Sequence, residues 1–260
     1  MIDFHNHLLP GVDDGARNEA ETSGALRALA AEGVRGVIVT PHVNASTTFV
    51  AAERAARLDE IGAAWPVLER CAKAAGVAVW PGAEIALDTP VMDFSDPRLR
   101  LNGTRFVLVE FAFMTVPQES TRALAQVGAA GWIPVLAHPE RYRAFTPLGD
   151  LVREWRAAGA RLQINGASLL GRYGELAQRV AEDLLARGEA DYVCSDYHAR
   201  GRPRVVEYRH LIERRAGPEA AVLLTETNPQ RLLEDALPLA VPSGGEERAL
   251  WRTRWRRFFR

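Results

Sequence analysis

Residues 1–16 read MIDFHNHLLPGVDDGA, and how they are read decides the fold. A short apolar start runs directly into two histidines one residue apart, with two aspartates a few positions on. If residues 2–5 form a strand, the two-residue period puts His5 and His7 on one face, and both imidazoles can turn to a single atom. Metal coordination is the chemistry that asks for this, and either Asp13 or Asp14 can add a carboxylate. A strand that ends in ligands is expected of a parallel α/β fold, where loops at the carboxyl ends of the strands build the site.

The rest of the chain repeats the pattern. The apolar runs VRGVIVT (34–40), GVAVWPG (76–82), RFVLVEF (105–111), GWIPVLA (131–137), ARLQIN (160–165) and ADYVCSD (190–196) alternate with helical stretches such as NEAETSGALRALAAEG (18–33) and GELAQRVAEDLLARG (174–188). Gly33, Gly76, Gly131, Gly159 and Gly188 fall where each helix would end in a left-handed cap. Together with residues 1–5 this gives about seven strands, close to the eight of a full βα barrel. Near-continuous apolar runs fit strands buried on both faces. The expectation is therefore α/β, a distorted TIM-like (β/α)7 barrel with a metal site at the C-terminal ends of its strands. No internal repeat or low-complexity linker divides it. Residues 1–240 are expected to form one barrel domain, and 241–260 a C-terminal Arg/aromatic-rich tail or helix.

Composition limits the functions. With 260 residues, 47% hydrophobic, the chain is long enough for a sizeable core. A formal net charge of -1 offers no global attraction to nucleic acid or acidic lipid, so any phosphate binding must be local. Cys71 and Cys194 are too few for a disulfide framework. The N-terminus carries neither a basic leader nor an apolar h-region, and no apolar run approaches the ~20 residues that span a bilayer. These features give the expectation of a cytoplasmic protein with reduced thiols and no membrane span.

Placed on the strand rhythm, the polar residues coincide. His5 and His7 follow the first run, and His42 follows VIVTP. Glu84 and Glu110 end their runs, His138 follows PVLA, and Asp196 and His198 follow YVCS. Any one strand-end His or Glu is ordinarily a cap or a surface residue. Five of the chain's six histidines in such positions are not, and the sixth, His210, lies in a helical stretch. Imidazole mixed with carboxylate and without thiolate suits Mn, Fe, Zn or Mg, and this many ligands exceeds what one ion can use. Two or three divalent ions are expected, with Glu84 a candidate bridge of the kind two-metal hydrolases use. The reaction class is metal-assisted hydrolysis. Arg141, three residues after His138, and Arg202, four after His198, bring planar guanidiniums that match phosphate oxygens.

Taken together, MIDFHNHLLPGVDDGA, VTPH, GAEI, NGTRFVLVEF, PVLAHPERY, LQINGASLLGRYGE, SDYH, GRP and TNPQRLL resemble, in order and spacing, the polymerase and histidinol phosphatase superfamily. More closely they resemble its bacterial metal-dependent protein-tyrosine phosphatases from capsule and exopolysaccharide loci. The resemblance runs from residue 1 to about residue 235. It implies a seven-stranded barrel with a trinuclear, often manganese-containing centre. It also implies the ligand set His5, His7, Asp14, His42, Glu84, Glu110, His138, Asp196 and His198, selecting Asp14 over Asp13. Arg141 and Arg202 would hold the phosphate, with Arg200 and Arg204 as alternatives to Arg202. The implied substrate is the Tyr-rich tail of a tyrosine-phosphorylated autokinase. After His42 the chain reads VNASTTF, lacking the second His or basic residue common in that branch.

Two stretches invite other readings. CSDYHAR gives Cys194 and Arg200 the spacing of cysteine-dependent tyrosine phosphatases, but Asp196 inside that loop would oppose both thiolate and phosphate. Cys194 therefore reads as core. NGASLLGRYG lacks phosphate-loop spacing and reads as a turn, with Asn165 facing the site. In ERALWRTRWRRFFR, Trp251, Trp255, Phe258 and Phe259 share a helical face, read as packing on the chain's own barrel or on another subunit of a homo-oligomer. The rival functions are a small-molecule phosphatase, such as one acting on histidinol phosphate, and a non-catalytic metal-stabilised phosphotyrosine-binding module.

Overall fold

The computed structural model describes residues 1–143 and 148–243. Among them are nine strand segments: β1 (Ile2–Asp3), β2 (Gly36–Val39), β3 (His42–Asn44), β4 (Ala78–Pro81), β5 (Glu84–Leu87), β6 (Phe106–Phe111), β7 (Ile133–Ala137), β8 (Arg161–Asn165) and β9 (Tyr192–Cys194). All neighbours are parallel, in a three-stranded sheet ordered β1-β2-β4 and a six-stranded sheet ordered β3-β5-β6-β7-β8-β9. The fold is thus mixed α/β with parallel strands, as expected, and its ladders form two sheets that do not by themselves close a barrel.

The seven expected runs become nine segments because two are interrupted, at Thr40–Pro41 and at Gly82–Ala83. Pro41 has no N–H for a ladder, so β2 cannot continue through it. Individual hydrogen bonds cross the gaps: Thr40 N donates to Asn6 O at 3.0 Å and Glu84 N to Pro41 O at 3.1 Å. At the far edge, Asp196 N donates to His5 O at 2.8 Å and His7 N to Tyr197 O at 3.0 Å. β1 stops at Asp3, short of the expected residue 5. There the Asn6 side-chain amide takes over as donor, to Asp3 O and Ile38 O, both at 3.1 Å.

Helices cover the sheets. The helix Glu19–Ala31 starts where the Asn18 side chain accepts from Glu21 N. The five glycines read as helix ends all take positive φ, from 66° to 92°. Side chains alternate along each strand. Phe4, Ile38, Phe106, Leu108, Val135, Ala137, Tyr192 and Cys194 pack in one cluster. Val37, Val39, Val107, Val109, Leu136, Leu162, Ile164 and Val193 pack in another, with helix residues Leu26, Leu29, Leu68, Leu124, Trp155 and Leu184. Each fully buried apolar side chain of this size contributes about 1.5–3 kcal/mol, which offsets the cost of gathering charged groups above. On β6, Phe106 and Leu108 fill the first cluster, and the same period delivers Glu110 at its open end. Cys71 and Cys194 are both buried and free. No described helix is long and apolar enough to cross a membrane. The expected helical face at Trp251, Trp255, Phe258 and Phe259 lies outside the described residues.

Candidate metal centre

Glu84, the first residue of β5, is 1% exposed and stands among four imidazoles. Its Oε1 lies 3.1 Å from both His5 Nε2 and His138 Nε2. Its Oε2 lies 3.4 Å from His7 Nε2 and 3.2 Å from His42 Nδ1. Each carboxylate oxygen thus serves a different pair of histidines, the disposition of a carboxylate shared by two neighbouring cations. Glu110 adds a second acid beside it, 3.5 Å from His42 Nδ1 and 3.7 Å from His138 Nε2.

Asp196 closes the opposite wall. Its Oδ1 is 3.4 Å from both His5 Nε2 and His7 Nε2 and 3.5 Å from His198 Nδ1. Toward the mouth, the exposed Asp14 carboxylate is 3.3 Å from His198 Nε2 and 3.5 Å from His42 Nε2. All nine expected ligands fall into four overlapping donor groups: His7, Asp14, His42, His198; His5, His7, Asp196; His5, Glu84, His138; and His42, Glu84, Glu110. Within each group the donor atoms lie within 4.8 Å of one another. His138 and Asp196 both sit in left-handed backbone, φ 34° and 50°, one residue past β7 and two past β9. The strained conformation turns their side chains toward the cluster.

A second row holds the imidazoles in place. His5 Nδ1 is 2.8 Å from Gln163 Oε1, and His7 Nδ1 is 2.8 Å from Asp13 Oδ2. Each ring therefore donates from Nδ1, which leaves Nε2 as the nitrogen turned to the acids. Asp13 also accepts from Gly15 N at 2.9 Å and His42 N at 3.3 Å. The adjacent aspartates divide the work, Asp14 facing the donor groups and Asp13 standing behind His7. Gly15 passes so close that a Cβ there would lie 2.0 Å from His7 O. Gln163 was not singled out from sequence, yet a Gln two residues before Asn165 in an apolar strand puts two amides on one face of β8, a legible signal.

The arginines part company. Arg141 Nη1 donates to Asp196 Oδ2 at 2.7 Å, and its guanidinium carbon lies 4.1 Å from the centroid of the Tyr173 ring. Asn165 Nδ2 donates to the same Asp196 oxygen at 3.0 Å and lies 3.5 Å from Tyr173 Oη. Arg202 is not brought to the cluster. Its side chain is 71% exposed and pairs with Glu32 at 3.5 Å. Arg204 pairs with Glu207, while Arg200 Nη2 donates to Asp14 O at 2.5 Å. His210 is exposed on its helix.

The electrostatics suit cations. Burial disfavours charge on His5, yet Glu84 and Asp196 outweigh it and push its pKa up to about 9. Burial, with Glu84 adding repulsion, pushes Glu110 up to about 8. Burial alone would raise Glu84, but the charge of His5 and the hydrogen bond with His138 hold it well below the usual range. Acids this close repel one another until positive charge is placed among them. Among the described residues, His5 Nε2 and His7 Nε2 are wholly buried and make no hydrogen bond. Buried orphaned nitrogens facing carboxylates fit divalent ions with mixed N/O preference. Cys194 is 0% exposed, and burial pushes its thiol pKa well up, the reverse of what a thiolate nucleophile needs.

Comparison with known proteins agrees with this geometry. The family described as capsular polysaccharide synthesis, CpsB/CapC, matches residues 1–234. The chain is 33% identical to tyrosine-protein phosphatase YwqE of Bacillus subtilis over 240 residues, covering 90% of this chain and 92% of that protein. It is 27% identical to tyrosine-protein phosphatase CpsB of Streptococcus pneumoniae over 248 residues, covering 91% of this chain and 100% of that one. A solved structure from work on YwqE and CpsB, described as unique metal-dependent tyrosine phosphatases, superposes with a TM-score of 0.76 at 28% identity, covering 94% of this chain and 98% of that one.

Proposed function

The chain belongs to the CpsB/CapC family of capsular polysaccharide synthesis, and from that premise we propose that it is a metal-dependent protein-tyrosine phosphatase. The observation that carries the reading is Glu84 with each oxygen beside two imidazoles, at the centre of four donor groups. His5, His7, Asp14, His42, Glu84, Glu110, His138, Asp196 and His198 would hold two or three divalent ions, with manganese the first choice. Bound there, such ions supply Lewis acidity, lowering the pKa of water and neutralising phosphoryl oxygens. On the same reading the two sheets form a distorted seven-stranded βα barrel, joined at the Asn6–Tyr197 bridge.

The chain's own residues do the rest. Glu84 and Asp196 set the charge of the site, and Gln163 and Asp13 hold His5 and His7 in the tautomer that leaves Nε2 bare. Arg141, anchored on Asp196, presents its fork to a phosphate bound against the cluster and binds more tightly as charge builds on the equatorial oxygens. The segment after His198 supplies a second cation. Arg200, already tied to Asp14, is better placed than Arg202. No side chain is required as a strong acid for the leaving group, because a phenol with pKa near ~10 departs more readily than an alkyl alcohol. The substrate we assign is a tyrosine-phosphorylated autokinase tail that regulates capsule or exopolysaccharide synthesis, met in the cytoplasm.

Turnover of a tyrosine-phosphorylated peptide and of histidinol phosphate, measured side by side with Mn supplied, tests this. Peptide hydrolysis lost on chelation and restored by Mn is expected. Preference for histidinol phosphate would make the protein a small-molecule phosphatase. Tight peptide binding without turnover would make it a binding module, and activity in a metal-free preparation would end the metal reading.

A further inference from the structure

Arg141 lies in the short turn Pro139–Arg141 and reaches the site on a long side chain with four torsions. Among the described residues only one hydrogen bond fixes its guanidinium, from Nη1 to Asp196 Oδ2. One bond at one corner leaves a planar fork free to swing about it, and a swinging fork is a poor phosphate clamp. The restraint on its face is aromatic. The Tyr173 ring lies 4.1 Å from the guanidinium carbon. It stands in the turn between Gly171 and Gly174, both with positive φ, ahead of the helix Glu175–Ala186. Tyr173 is 41% exposed, so a demand to bury the ring does not account for its position. Its hydroxyl reaches Asn165 Nδ2 only at 3.5 Å, the outer limit of a hydrogen bond, while the same Nδ2 makes a 3.0 Å bond to Asp196. The ring face, and not the hydroxyl, is the part of Tyr173 engaged with the site.

We propose that Tyr173 is a positioning residue for Arg141, its ring the platform on which the guanidinium lies flat with its open edge toward the phosphoryl group. The proposal rests on reading Arg141 as the phosphate clamp. A cation held on an aromatic face keeps its orientation without losing donors, which is what a bidentate clamp needs. Tyr173 touches no substrate atom in this role and acts only through Arg141.

The test is a cycle on the metal-loaded protein: wild type, Tyr173→Leu, Tyr173→Phe, Arg141→Ala and the Tyr173→Leu/Arg141→Ala double variant. Each is assayed for kcat and KM on a tyrosine-phosphorylated peptide and for the affinity of inorganic phosphate by calorimetry. Tyr173→Leu should lose about 10-fold in kcat/KM, mainly in kcat, and weaken phosphate binding, with melting temperature and metal content unchanged. Tyr173→Phe keeps the ring and should recover most of that loss. In the Arg141→Ala background Tyr173→Leu should cost nothing further, because the platform then has nothing to hold. Equal losses in both backgrounds, a Phe variant as poor as Leu, or a Leu variant with wild-type kinetics and phosphate affinity would each overturn the proposal. A wild-type protein that binds phosphate but leaves the peptide intact would instead refute the phosphatase reading, and the phosphate affinities would still decide the role of Tyr173.

Discussion

Asp13→Asn is a one-atom change whose consequence follows from three hydrogen bonds. Asp13 Oδ2 accepts from His7 Nδ1 at 2.8 Å and His42 N at 3.3 Å, and Oδ1 accepts from Gly15 N at 2.9 Å. An asparagine has one acceptor oxygen. If it keeps Gly15 N, its NH2 faces the Nδ1–H of His7; if it keeps His7, the NH2 faces the Gly15 amide. Either way a buried donor meets a donor, at a cost of about 1–3 kcal/mol. His7 can escape only by moving its proton to Nε2, the nitrogen facing Glu84 and Asp196. That removes it as a ligand. Residues behind metal ligands of this kind are worth ~10- to 100-fold in affinity, close to what the same energy predicts at about 1.4 kcal/mol per tenfold. The assay is a competitive titration of metal against a chelator of known affinity, with Asp14→Asn in parallel. Asp13→Asn should weaken binding by that factor while keeping the number of ions. Asp14→Asn should chiefly affect the ion at the solvent-facing group of His7, His42 and His198. An Asp13→Asn protein with wild-type affinity would refute the reasoning that His7 is held through its second nitrogen.

Three further outcomes are expected. Arg141→Ala should lower kcat/KM by ~100- to 1,000-fold with metal content unchanged, and Arg141→Lys should recover only part, judged by the size of a single oxyanion-stabilising donor; full efficiency would make Arg141 a structural partner of Asp196 alone. Cys194→Ser should keep most of its activity and His198→Ala should lose it, and the reverse pattern in a peptide assay would establish thiolate chemistry. Arg200→Ala should cost more kcat/KM than Arg202→Ala, whose side chain is 71% exposed; the opposite order would show that Arg202 leaves Glu32 when phosphate binds.

What was legible in the sequence was whatever repeats along the chain. Strand runs repeat, and a ligand at the end of each is visible once the runs are found, which is how His42, Glu84, Glu110, His138, Asp196 and His198 could be picked out. Adjacent aspartates defeat that reading, because spacing cannot say which of Asp13 and Asp14 turns inward; the backbone of the Gly15 turn decides it. Arg202 shows how non-local competition escapes sequence, since Glu32 lies 170 positions earlier and becomes a partner only through the fold. Tyr173 was invisible for a related reason: a Tyr between two glycines looks like an ordinary turn until Arg141 arrives from another strand end. One of the two strand interruptions was within reach. Pro41 sits in plain view at the end of VIVT, and a proline there forbids the ladder from running on.

The close passage of Gly15 under His7 fixes chain length as well as residue type. Ala16 N donates to His7 O at 3.0 Å and Gly11 N to Ala16 O at 2.7 Å, so residues 7–16 form a loop clasped at its base and doubled back on itself. Adding or deleting a single residue between His7 and Gly15 would shift both aspartates by one place, setting Asp14 behind His7 or carrying Asp13 out to the mouth. A side-chain replacement touches one position of the loop, whereas an insertion displaces the ligand and its support together. For engineering, an epitope tag or flexible linker belongs in other surface turns, and the stretch from residue 7 to residue 16 should be treated as having a fixed count.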